Sequence, residues 1–110
     1  MMDLLRIVKL HAAEIIYDPE AAADAVAKAC SRGNVPLLPS GCCDLGEGEL
    51  LIPLAESEGA ETERFYFVPF PDSSEDFVAA ELNVRYRKNM ILIGTFRFED
   101  SFWGFFRRTR

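Results

Sequence analysis

The thiols and imidazoles that could form a nucleophile–base pair or bind zinc are few: Cys30, Cys42, Cys43 and one histidine, His11. A cysteine becomes nucleophilic when nearby positive charge or a helix N-terminus stabilises its thiolate. Cys42 and Cys43 lie in SGCCD, and the acids that follow, Asp44, Glu47 and Glu49, oppose ionisation of a thiol. Any Ser-His-Asp or Cys-His arrangement would have to use the ring of His11, since the base must reach its nucleophile within hydrogen-bond distance. His11 falls on the apolar side of an amphipathic stretch, which is more often the setting of a core or boundary residue than of a base. Structural zinc draws four N/S ligands from paired motifs. Here no C-x2-C partner exists, and adjacent cysteines chelate a single ion awkwardly.

Carboxylates fare no better. Glu56, Glu58, Glu61 and Glu63 form a run that reads as a solvated loop. A hydrolase pair instead needs two carboxylates held in a cleft, in different environments. The GEGE stretch at 46–49 is neither a P-loop nor a dinucleotide fingerprint, and its acids repel phosphate. The chain is therefore expected to be non-enzymatic, with no catalytic residue, cofactor or metal site.

Charge is the more informative feature. The 110 residues carry a formal net charge of −6. Residues 81–110 hold seven basic groups and three acids, a net +4, so the first eighty residues hold five basic groups and fifteen acids, a net −10. Within the basic segment, Arg85, Tyr86 and Arg87 precede the tail SFWGFFRRTR, where Trp103 and Phe105 run into Arg107 and Arg108. Aromatic rings beside arginines have the composition of protein–protein hot spots. Single-stranded nucleic acid binders use the same mixture, stacking bases on rings and phosphates on arginines, but such domains are usually basic as a whole. A tail this short, on an acidic protein, is a poor anchor for an anionic membrane. The plain alternative is that the aromatics complete the core and the arginines answer the fold's own acids.

Those groups need a scaffold. With 49% hydrophobic and 27% charged residues, the chain has the composition of one globular domain, 1–110. Three unpaired cysteines and no secretory signal at the N-terminus suggest free thiols in the cytoplasm. Asp3 is placed to cap a helix over 3–16, with Leu4, Leu5, Ile7, Val8, His11, Ala12, Ile15 and Ile16 on one face and Leu10 as the exception, although LRIVKL also suits a strand. DPEAAADAVAKACSRG is the clearest helix, with Asp18 as N-cap, Pro19 at the first position, Gly33 as stop and a small face of Ala22, Val26 and Cys30. The stretch 34–49 looks irregular. ELLIPLAE and RFYFVPFP read as strands kept to edges or bulges by Pro53 and Pro69. PDSSED reads as a turn or cap. Leu82, Val84 and Tyr86 alternate with polar residues and predict a hairpin that turns at Lys88-Asn89 and returns over 90–98, whereas Val78, Leu82 and Tyr86 at intervals of four fit a helix over 74–88.

The expected class is α+β, an antiparallel sheet of about four or five strands with two or three helices on one face, a ferredoxin-like order being the second choice. The expected function is binding of another protein or of itself, a homodimer included, through Arg85, Tyr86, Arg87, Trp103, Phe105, Arg107 and Arg108. Nucleic-acid or phosphate-ligand binding on the same surface is the alternative, and no membrane partner is expected.

Overall fold

The computed structural model describes residues 6–32, 35–57 and 64–109. The class is α+β with antiparallel pairing throughout, its strands divided between two sheets. Strand β1 (Arg6–His11) leads into the short helix α1 (Ala12–Tyr17) and then α2 (Pro19–Cys30). Next come β2 (Leu37–Pro39), β3 (Cys43–Gly46), β4 (Glu49–Glu56) and β5 (Arg64–Phe70). Helix α3 (Glu75–Arg87) and the hairpin β6 (Met90–Phe98) and β7 (Ser101–Arg108) complete the fold. In sheet A, β4 pairs with β1 on one side and with both β2 and β3 on the other. In sheet B the order is β5-β7-β6.

The first helix expected here is a strand over its N-terminal half. Val8 pairs with Ile52 and Leu10 with Leu50, so both apolar residues face inward at period two. That explains why Leu10 fits no helical stripe. His11 ends β1 exposed, opposite Glu49, and not on an apolar face. The expected cap, Asp3, lies outside the described residues, as do Gly33 and the carboxylates Glu58, Glu61 and Glu63.

Helix α2 follows its sequence signals. The Asp18 carboxylate accepts from the Ala21 N–H at 3.1 Å, Pro19 occupies the first turn, and Ala22, Ala23, Val26, Ala29 and Cys30 are buried. Small side chains let α2 approach β5 and fill the open side between the sheets. The stretch expected to be irregular contains β2 and β3, whose pairing with β4 supplies the order.

Proline marks edges only in part. Pro69 does lie on the edge strand β5. Pro53 sits in the middle of β4, the centre of its sheet, between the residues paired to β3 and those paired to β2. Its carbonyl accepts from the Ser40 N–H at 2.9 Å, so its ring nitrogen points to that same side, into the gap between the two short strands. A central proline is tolerated because no ladder bond is required there.

Residues 82–87 belong to α3, not to a strand. Asp72 accepts from the Ser74 N–H at 2.8 Å, Glu75 and Asp76 occupy the first turn, and Arg85 and Arg87 the last. This charge order suits the helix dipole at both ends. Ser101–Arg108 forms the central strand of sheet B, joined to β6 by a two-residue turn at Glu99-Asp100, with Glu99 at φ 53°. Its inward side chains, Trp103 and Phe105, meet Phe65, Phe67 and Phe96 of the same sheet and Leu50, Ile52 and Leu54 of sheet A in one core. Phe105 stacks on Phe67 with ring centroids 4.5 Å apart. On the opposite face, Gly104 leaves room for Phe70 and Phe106, since a Cβ there would meet both rings at 2.7 Å.

Candidate functional site

The thiols are dispersed. Cys30 is buried on α2, Cys42 is half-buried, and Cys43 is exposed on β3. Burial pushes the Cys30 thiol up to about 11. Burial does the same for Cys42, to about 11, reinforced by the adjacent Cys43 and Asp44. Both thiols are thus held protonated at neutral pH, the opposite of what a nucleophile needs. Among the described residues no three of His, Cys, Asp and Glu are grouped so as to hold a metal ion.

The basic residues are brought together by sheet register and by the end of α3. On the outer face of sheet B, Arg64 lies directly opposite Arg108, and Tyr66 opposite Phe106. The Arg64 guanidinium stacks over the Tyr66 ring at 5.7 Å. From α3, Arg85 reaches down over Phe106 at 5.3 Å. Arg64 and Arg85 therefore each cover one ring of a cross-strand aromatic pair, and Arg108 lies opposite Arg64 at its end. Arg87 and Lys88 stand exposed at the C-terminal end of α3, and the chain end is fastened beside them by Thr109 N–H donating to the Asn89 carbonyl at 2.9 Å. Farther along the same sheet face, Arg97 stacks over Phe102 at 4.9 Å.

The seven expected site residues do not form a single surface. Trp103 and Phe105 are core, 7% and 0% exposed, and their rings are not presented to solvent. Arg107 and Arg108 alternate to opposite faces of β7, and Arg107 points toward a recess shared with Leu38, Ala55 and Glu56. Arg85 and Arg87, which a strand would place on one face, are separated by the helix: Arg85 is half-buried against the sheet and Arg87 is exposed. Tyr86 is 69% exposed beside Arg87. Arg64 was missed because its position opposite Arg108 arises only from strand pairing. The available signal was a lone arginine at the head of the RFYFVPF run.

No carboxylate of a described residue forms an ion pair with Arg64, Arg85, Arg87 or Arg97; the ion pair formed between described residues is Lys9 with Glu49, at 3.4 Å. Beneath α3, Glu81 Oε2 and Arg85 Nε are both inaccessible and without a hydrogen-bond partner. No residue of α3 is fully buried. The helix is thus held on sheet B by half-buried contacts with two polar atoms left unpaired, an arrangement that weakens the packing.

The fold is an α+β domain with two antiparallel sheets, and none of its described helices is long and apolar enough to cross a membrane. No family model, curated protein or solved structure matches the chain.

Proposed function

We propose that this protein works by binding another protein through the basic end of sheet B, with Arg64, Arg85, Tyr86, Arg87 and Arg108 as contacts and Arg107 at the rim. Trp103 and Phe105 serve this surface from beneath, as the packed floor that holds β7 straight. The observation that supports the reading is the convergence of Arg64 and Arg85 on the Tyr66–Phe106 ring pair without a described carboxylate to neutralise them. A guanidinium lying on a ring still presents N–H groups at its edge to a carboxylate, and at Arg85, whose Nε is enclosed, the terminal nitrogens would serve. The partner is accordingly an acidic protein surface. Three free cysteines suit a cytoplasmic setting, where thiols stay reduced.

Nucleic acid is the weaker alternative. Stacking of bases needs open rings, whereas Phe106 is fully buried and Tyr66 already lies under Arg64. A net charge of −6 also repels a polyanion at long range. The test is affinity capture by immobilised wild-type protein and by an Arg64→Glu/Arg87→Glu variant, with and without nuclease. The proposal expects a nuclease-resistant protein bound by the wild type and lost on charge reversal. Identical capture by both forms would overturn it, and loss on nuclease treatment would favour the alternative.

A further inference from the structure

Between β1, α1 and α2 lies an apolar groove of about 510 Å³ whose walls include Leu10, Ala13, Tyr17, Ala21, Ala22 and Ala25. Tyr17 forms one wall with 91% of its surface exposed, more than any other large hydrophobic residue described. Two carboxylates, Glu14 and Asp18, complete the lining, and no basic side chain contributes to it. The second most exposed large hydrophobic residue is Tyr86, and its neighbours are Arg87 and Lys88. The two most exposed tyrosines of the molecule therefore sit in settings of opposite charge, one a recess and the other a projecting helix end.

We infer that the groove is the receptor for the end of α3 from a second copy of this chain. Tyr86 would enter against the alanine floor and Tyr17, while Arg87 and Lys88 meet Glu14 and the rim. Aromatic side chains bring large contact area with few rotatable bonds, and opposite charges at a rim set orientation and encounter rate. A contact this small belongs to the weak, transient class, so association depends on concentration and falls with salt. This deepens the binding reading above by naming the acidic partner surface, and it depends on that reading.

The experiment is sedimentation velocity over a wide concentration range at low and high salt. It compares wild type, Glu14→Arg, Arg87→Glu/Lys88→Glu and an equimolar mixture of the two variants. Asp18 is left intact because it caps α2. Wild type is expected to self-associate, each variant alone to bind itself at least about tenfold more weakly, and the mixture to recover association, since each supplies the surface the other has lost. Tyr17→Ala, which changes no charge, should weaken wild-type association as well. Wild type that stays monomeric to its solubility limit would overturn the inference while leaving the capture result of the basic surface standing. Self-association that the mixture fails to restore would overturn the pairing of these two surfaces.

Discussion

Replacing Phe105 by alanine separates the two roles that an aromatic-rich tail can play. The side chain is 0% exposed, stacks on Phe67 at 4.5 Å and lies 5.7 Å from Phe65. A buried phenylalanine removes roughly 150–250 Å² from water. At about 25 cal/mol per Å², and allowing for the methyl that alanine keeps, the loss is about 3–5 kcal/mol. That is a fifth or more of the stability of an ordinary domain. With a urea slope of about 1–3 kcal/mol/M, the unfolding midpoint should fall by roughly 2 M. Far-UV circular dichroism is the suitable probe, because the emission of nearby Trp103 would report the local cavity as well as global unfolding. Tyr86→Ala is the matched surface control and should stay within about 0.5 kcal/mol of wild type. A Phe105→Ala midpoint within about 0.5 M of wild type would refute the placement of the tail as the central strand of sheet B.

Further expectations concern the groups beneath α3, the thiols and the contact between the sheets. Replacing Glu81 by leucine and Arg85 by methionine should raise stability by about 1–3 kcal/mol, because two unpaired buried polar atoms are removed; the same urea titration checks it, and partner capture should weaken in the same variant. Cys30 and Cys42 ionise near 11 in the folded protein, above their ordinary 9.0. Their contribution to stability is therefore complete below about pH 9 and lost as pH rises toward 11, since only the unfolded chain gains the thiolates. Urea midpoints measured across that range should decline, and a disulfide-exchange reagent at neutral pH should label Cys43 ahead of the other two. Gly94→Ala places a Cβ 2.7 Å from that of Cys42 and 3.2 Å from its backbone nitrogen, which should destabilise by about 1–3 kcal/mol in the same assay.

Where local and tertiary signals agreed, the structure was legible from sequence. Asp18, Pro19 and the alanine face specify α2 without reference to anything else, and strand character in ELLIPLAE and RFYFVPF needs only their short apolar runs. Ambiguity arose where two periods coincide. Leu82, Val84 and Tyr86 alternate as a strand would, yet Val78, Leu82 and Tyr86 also recur every helical turn. The deciding signal was charge: acids at Glu75 and Asp76 and arginines at Arg85 and Arg87 are ordered for a helix dipole. At the other end, Arg6–His11 became a strand because β4 offers Leu50 and Ile52 as partners, a long-range fact absent from local pattern. Pro53 in a central strand depends on a gap between two other strands, which no single segment encodes.

The candidate site was half legible for related reasons. Composition placed positive charge in the last third, and Arg85, Tyr86, Arg87 and Arg108 do lie at one end of sheet B. Trp103 and Phe105 look like surface anchors by type, but alternation along β7 turns them into the core. Arg64 joins the cluster only through its register with Arg108.

The most direct test of the binding account is a photo-cross-linking amino acid incorporated in living cells in place of Tyr86, with a control placed at Leu45, an exposed position on β3 in the other sheet. The account predicts a discrete protein adduct from position 86 that disappears with Arg64→Glu/Arg87→Glu and is not formed from position 45. An adduct of twice the chain's own mass would identify a second copy as the partner. No adduct from position 86, or one equally strong from position 45, would contradict the assignment of the basic end of sheet B as the surface through which this protein acts.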